Sequence, residues 1–153
     1  EDNMAIARGA GTEIIRCASF EHVQGGGDVN ILIGEQHHIY TVLSIIVYGD
    51  TVPSTDRLTY LAIRGYDSYG GTTAQFNRIW QQYVAAGQTF VWNDKFSFNG
   101  YEPTDWSGAM ATTANQDAIA DQGSSVVQKL QFQGSHDNAF YDVHVTYIDQ
   151  NNA

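Results

Sequence analysis

The stretch from His38 to Gly49, with the sequence HIYTVLSIIVYG, constrains the fold more than any other part of the chain. It is the most apolar run in the sequence, and β-branched and aromatic residues dominate it. No Pro or Gly interrupts the run before Gly49. This composition predicts a β-strand. At about twelve residues, the run is too short to cross a membrane as a helix.

Both faces of this predicted strand are apolar, because side chains alternate between the two faces of a sheet. A strand of an antiparallel sandwich normally keeps one face in water. We therefore expect the second face to be covered either by the opposite sheet or by a neighbouring subunit. That second face carries Val42, Ser44, Ile46 and Tyr48.

The rest of the chain predicts short strands separated by Gly-, Asn- and Asp-rich turns and no firm helix. The run from Phe76 to Val84 fits either helical spacing or a strand, and its β-rich surroundings favour the strand. The pattern predicts an all-β protein, an antiparallel, jelly-roll-like β-sandwich. We expect an extended N-terminal arm over residues 1–15 and one sandwich domain over residues 16–153. The predicted strands cover residues 12–22, 29–33, 38–49, 58–64, 76–84, 89–98, 117–120, 125–133 and 139–149.

Length and charge narrow the classes of partner. A chain of 153 residues predicts one domain with a core of its own. Its net charge is −10 and its seven Lys and Arg residues are scattered, which argues against a nucleic-acid partner. Cys17 is the only cysteine, so an internal disulfide is impossible and assembly in a reducing cytosol is expected. We find no signal peptide and no membrane-spanning segment.

The sequence carries no familiar catalytic motif, and we expect neither an enzyme nor a cofactor. His37 and His38 are adjacent on a strand and point to opposite faces, so they do not predict a shared metal ion. Asp142 and His144 share a strand face, but a solvated face explains them better than a zinc site. No metal site is therefore predicted. Asp94 lies in an aromatic strand, and we expect a β-bulge to turn it outward.

Several aromatic residues lie in or beside polar loops. Tyr101 and Trp106 either contact a ligand or partner or close the end of the sandwich. Trp92 on the strand before them is a further candidate platform for a sugar ring. The sequence leaves these alternatives open.

The order of segments resembles a known class of proteins. An extended arm precedes YTVLSIIVYG (residues 40–49), which is followed by LTYLAIRGYD (58–67). YVAAGQTFVWNDKFSFNGYEP (83–103) and SVVQKLQFQGSHDNAFYDVHVTYI (125–148) complete the pattern. Over residues 38–148 this resembles the small β-sandwich decoration, or cement, proteins of tailed-bacteriophage capsids. The motifs are strand patterns and not catalytic signatures.

The resemblance implies a structural virion protein that binds across capsomers on the capsid surface and is assembled in the host cytoplasm. Its implied partners are the major capsid protein and further copies of itself, in a homotrimer, with no nucleic acid and no membrane. The expected interface residues are Val42, Ile46 and Tyr48, with Ile6 and Arg8 from the arm. The alternative is a carbohydrate-binding sandwich of a phage tail or fibre. A glycoside hydrolase is the weakest alternative.

Overall fold

A computed structural model describes residues 9–103, 112–121 and 125–152 of the chain. The described part consists almost entirely of β-strands, with one short helix. The strands are β1 (Thr12–Gln24), β2 (Asp28–Ile33), β3 (His38–Thr51), β4 (Leu58–Asp67), β5 (Thr72–Tyr83), β6 (Thr89–Trp92), β7 (Phe96–Asn99), β8 (Tyr101–Pro103), β9 (Ser125–Val127), β10 (Lys129–Gly134) and β11 (Phe140–Asn151), and the helix α1 is Thr113–Asp121.

Two antiparallel sheets form the sandwich. The first, sheet A, has the strand order β1-β11-β3-β6, and β7 also pairs with β3. The second, sheet B, has the order β2-β10-β4-β5. A small ribbon of β8 and β9 stands beside them. The predicted antiparallel all-β sandwich is confirmed, and its jelly-roll character stays a prediction.

The core lies between the inner faces of the two sheets. Sheet A contributes residues such as Val42, Ile45, Val47 and Tyr141, and sheet B contributes Leu61, Leu130 and Phe132. All of these side chains are fully buried. The ring of Phe132 meets that of Tyr141 edge-on, with the centroids 5.6 Å apart. Burial of this apolar surface is the main force that holds the sheets together.

Strand β11 is the clearest agreement between sequence and structure. Tyr141, Val143, Val145 and Tyr147 point into the core, and the side chains between them point outward, as the alternation predicts. The ambiguous run from Phe76 to Val84 is likewise a strand, β5, although β5 ends at Tyr83. Trp80 of β5 enters the core and meets Phe90 edge-on at 5.0 Å.

The strand predicted for residues 117–120 is wrong. These residues belong to α1, which follows Thr112, whose hydroxyl oxygen accepts a hydrogen bond from the backbone N–H of Asn115 at 3.2 Å. This is the contact of a helix N-cap. Alanines favour the helix, and no run of β-branched residues opposes it. Among the described residues no helix is long and apolar enough to cross a membrane.

The predicted end of the arm also needs correction. Strand β1 begins at Thr12, which pairs with Asn151 of β11, so residues 12–15 belong to the sandwich. The backbone N–H of Gly11 already donates to the carbonyl of Asn151. Because β11 is twelve residues long, it pairs with β1 from Thr12 onward, and the sandwich therefore begins before the predicted boundary at residue 15. Residues 1–8 lie outside the described part.

Candidate functional site

A β-bulge decides which side chains of β3 face outward. The pairing of β3 with β11 shifts between Val42 and Ser44, so that Leu43 is the extra residue. A bulge changes the face on which the following side chains lie. Val42 and Ile45 are both fully buried, whereas Ile46 is 36% exposed and Tyr48 is 39% exposed. The assignment of Val42 to the same face as Ile46 and Tyr48 is therefore wrong, and Val42 is a core residue.

The outward residues of β3 form part of an apolar patch on sheet A. Ile46 pairs directly with Val91 of β6, which is 53% exposed. Tyr48 pairs with Thr89 one step along the same face. Ile46, Tyr48 and Val91 are called the β3–β6 patch below. Val91 was not among the predicted interface residues, although its position between the inward residues Phe90 and Trp92 assigns it to the outer face.

A groove runs beside the β3–β6 patch, over β11. Its volume is about 490 Å³. Ser19 and Glu21 of β1 form one wall, Ile46 and Tyr48 form the other, and Asp142 and His144 line the floor. The Ser19 hydroxyl and His144 Nδ1 are joined by a hydrogen bond of 2.5 Å. The groove therefore combines apolar side chains, a hydroxyl, an imidazole and two carboxylates.

His22 lies next to this groove and contacts Asp142, one of its lining residues. It lies at a bulge of β1 with a positive φ of 54°, a conformation in which His is tolerated better than β-branched residues. Its backbone N–H donates to Asp142 Oδ1 at 2.9 Å, and its ring nitrogen Nδ1 bonds Asp50 Oδ2 at 2.8 Å. The ring stacks on Phe140 at 4.2 Å. The bond to Asp142 therefore holds one carboxylate of the groove in place. No sequence signal indicated this role.

Asp142 and His144 do share the outer face of β11, as predicted. Within residues 9–103, 112–121 and 125–152, no group of three or more His, Cys, Asp or Glu side chains is placed to hold a metal ion. His37 and His38 do not belong to one strand. Strand β3 begins at His38, and His37 lies in the turn before it with a positive φ of 62°.

His38 instead belongs to a partly buried polar cluster at the end of the sandwich where β1 begins. Its Nδ1 lies 2.7 Å from Asp149 Oδ1, and its Nε2 lies 3.4 Å from a Glu35 carboxylate oxygen. Asp149 is nearly fully buried, and Arg16 Nη1 lies 3.7 Å from its other carboxylate oxygen. The pKa of neighbouring Tyr40 is raised to about 12, mainly by burial and also by the charge of Asp149, although the hydrogen bond from the Glu35 backbone N–H opposes the rise. The cluster closes the core at this end.

The other predicted contact residues are spread over the molecule. Tyr101 is half-buried in β8 and pairs with Val127 of β9, away from the β3–β6 patch. Trp106, Ile6 and Arg8 lie outside the described residues, and their roles stay predictions. The interface roles of Ile46 and Tyr48 also stay predictions.

Trp92 packs against the core, so it does not offer an open face to a sugar ring. Asp94 is exposed in the break between β6 and β7, as its predicted outward turn requires. The strand breaks at residues 93–95 because the acid cannot enter the aromatic interior without a partner. Phe96 and Phe98 resume the inward pattern in β7.

Comparison with known proteins yields no family model and no curated protein that matches the chain. Among solved structures, the chain is similar to a subunit of Bacillus endospore appendages, described as disulfide-linked pili, with 14% identity, full coverage of both chains and a TM-score of 0.45. It is also similar to an infectious bursal disease virus Gx strain protein, with 7% identity and a TM-score of 0.43. A T13 particle of that virus gives 9% identity and a TM-score of 0.31.

The chain is fully covered in both viral comparisons but spans only 37% and 43% of those proteins' length. The identities and TM-scores are low.

Proposed function

We propose that the chain is a structural subunit that associates with copies of itself and decorates a viral capsid, as a cement protein of a tailed bacteriophage. The observation that carries this proposal is the β3–β6 patch. Ile46, Tyr48 and Val91 are neighbours on one exposed sheet face of a chain whose net charge is −10. An apolar patch on a strongly acidic protein is typical of an interaction surface.

The outer face of sheet B provides an internal contrast. Arg78 lies over the rings of Tyr60 and Phe76, 4.6 Å and 5.9 Å from their centroids. Arg64 lies over Phe76 at 5.3 Å and forms an ion pair with Asp28 at 2.7 Å. The rings of Tyr60 and Phe76 are therefore covered by the chain's own cations, whereas Tyr83 on the same face is 64% exposed. The β3–β6 patch has no such cover among the described residues.

The occupant that we propose for the patch is a second copy of the chain. Copies arranged around a threefold axis bring three patches together and remove their apolar side chains from water. The interface would extend over the outer face of sheet A from β6 to β1, and so include Ile15, which is 69% exposed. A trimer then presents three arms, with Ile6 and Arg8, to the major capsid protein, and three weak contacts act together.

Self-association is tested by sedimentation velocity of the full chain and two variants. Ile46→Lys places a charge in the patch and should give monomers. Tyr83→Lys is the matched control, because Tyr83 of β5 is 64% exposed on sheet B, and it should leave the assembly unchanged. A wild-type protein that stays monomeric at high concentration, or an Ile46→Lys variant that still assembles, contradicts the proposal.

Capsid attachment needs a separate test. Wild-type protein should co-sediment with empty capsids of a tailed bacteriophage, whereas a variant that lacks residues 1–8 should still trimerise but not bind. The truncation removes no described residue, so its folding is checked simply by circular dichroism. Full decoration by the truncated variant would refute the role of the arm. If the wild-type protein assembles but does not bind capsids, the proposed capsid decoration is refuted and the proposed self-association still holds.

A carbohydrate-binding role is the second candidate, and the groove over β11 favours it. Tyr48 offers a partly exposed ring beside the carboxylates of Glu21 and Asp142. Aromatic rings stack on sugars, and carboxylates accept bonds from hydroxyl groups. A glycan array separates the candidates. Glycan binding that Tyr48→Ala abolishes would support this role, and the absence of binding at millimolar sugar would exclude it for the sugars tested.

A further inference from the structure

A second cavity lies on the opposite sheet, apart from the β3–β6 patch. Its volume is about 400 Å³. Strands β4, β5, β9 and β10 all contribute to it. The lining residues are Arg64, Gly65, Thr73, Ala74, Ser125, Val126, Val127 and Lys129.

The cavity brings two cations together. Lys129 of β10 pairs directly with Arg64 of β4. Like charges in directly opposite positions of a sheet repel each other, so this pair is unfavourable without a compensating anion. The pairing is unexpected in a chain with only seven Lys and Arg residues among 153 and a net charge of −10.

Only one of the two cations is neutralised by the described residues. Arg64 donates from Nη2 to Asp28 at 2.7 Å, from Nε to the side-chain oxygen of Gln131 at 2.8 Å and from Nη1 to the carbonyl of Ala74 at 3.1 Å. Lys129 is half-buried and has no hydrogen-bond or ionic partner among the described residues. Among the described residues, its ammonium therefore provides the unpaired positive charge of the cavity.

The remaining walls indicate the kind of ligand that fits. Val126, Val127 and Ala74 present apolar surface, and Thr73 and Ser125 add hydroxyl groups. Binding cavities commonly combine apolar walls with a few polar groups that orient the ligand. An anionic oxygen would accept a charge-assisted hydrogen bond from Lys129. A cavity of about 400 Å³ holds more than the anionic group alone.

We propose that this cavity binds a small organic anion, with its carboxylate or phosphate head at Lys129 and its apolar body against Val126 and Val127. The site is independent of the proposed self-association, because it lies on sheet B and the β3–β6 patch lies on sheet A. Lys129 is its central ligand-contacting residue. Arg64, paired with Asp28, forms the neighbouring part of the wall.

The two lysines of the chain allow a direct test. Reductive methylation with ¹³C-formaldehyde labels Lys129 and Lys95 and keeps their charge. Lys95 is exposed between β6 and β7 and serves as the internal control. Hexanoate and hexyl phosphate are the anionic probes, and hexan-1-ol is the uncharged probe of similar length.

We expect hexanoate or hexyl phosphate to shift the Lys129 signal saturably and to leave the Lys95 signal unchanged. The more effective probe identifies the preferred head group. Acetate should bind less tightly than hexanoate, because it cannot reach the apolar walls. Equal shifts of both lysines, no shift of Lys129 at millimolar probe, or an equal effect of hexan-1-ol would each overturn the proposal.

A variant supplies the second readout. Lys129→Met keeps an apolar stem of similar length and should weaken hexanoate binding about tenfold, which corresponds to the loss of one charged hydrogen bond. Lys95→Met should bind as the wild type does. Circular dichroism confirms that both variants fold, and Lys129→Arg should retain most of the affinity. Unchanged binding by Lys129→Met would contradict the assignment.

Discussion

Replacement of Ile45 or Ile46 by Ala tests the bulge that orients β3. Ile45 is fully buried between the sheets, so its truncation leaves a cavity and should lower the free energy of unfolding by about 2–5 kcal/mol. Ile46 is 36% exposed on the outer face, and its truncation should cost only about 1 kcal/mol in the monomer. Simple alternation without the bulge would place Val42 and Ile46 together on one face and Ile45 on the other.

Urea denaturation measures both costs. The samples should be dilute enough that light scattering shows monomers. If Ile46 were buried in an assembly, the measured free energy of unfolding would depend on protein concentration. The slope with denaturant should stay the same in both variants, so that a shift of the midpoint reports stability. A cost for Ile46→Ala that equals or exceeds that for Ile45→Ala would refute the bulge and the face assignment.

Two further predictions concern pH and backbone packing. Burial, and to a smaller extent the charge of Asp56, raises the pKa of Tyr141 from 10 to about 12. Because this tyrosine ionises at lower pH in the unfolded chain than in the folded one, its contribution to the free energy of unfolding is complete below pH 10. Between pH 10 and 12 that contribution falls by up to about 1.4 kcal/mol per pH unit. Tyr141→Phe should remove that contribution in alkaline urea titrations, and an unchanged pH dependence would contradict it. Gly34→Ala should destabilise the fold clearly, because an added Cβ would collide with the backbone of Gly100, whereas Gly27→Ala meets no atom within 4 Å and should be nearly neutral in thermal melts. Equal melting temperatures of the two glycine variants would show that the backbones can separate at little cost.

The strands were predictable because their faces differ chemically. In β11 the inward residues Tyr141, Val143 and Val145 alternate with polar or titratable neighbours, so the sequence alone identifies the face that points into the core. In β6 and β7 the aromatic residues alternate in the same way, and Asp94 marks the break between them. Period-two patterning reports the face of a strand whenever one side is apolar.

The β3–β6 patch was only half predictable, for a physical reason. Strand β3 is apolar on both faces, so its sequence has no alternation of apolar and polar residues that would show where the bulge at Leu43 lies. Ile46 and Tyr48 were placed on the outward face correctly, but Val42 was not. The position of the bulge follows from pairing with β11, which is more than ninety residues away along the chain.

Helix α1 and the cavity at Lys129 were missed for related reasons. The run TANQDAIAD of α1 is short and weakly amphipathic, and its Thr112 cap was the only local signal. Lys129 and Arg64 are distant in sequence, and only the register of β10 with β4 places them opposite each other. Contacts of this kind depend on tertiary pairing and leave no pattern in the local sequence.

The most direct test of self-association through sheet A uses the single cysteine as a reporter. Cys17 is exposed in one chain, and its Sγ lies 3.6 Å from Thr146 Oγ1 on the same outer face as Ile46. The rate of alkylation of Cys17 by iodoacetamide is measured across the concentration range of assembly. We predict slow alkylation in the assembled protein and fast alkylation both in dilute protein and in Ile46→Lys. Equally fast alkylation in the assembled and the monomeric protein would show that copies associate through another surface.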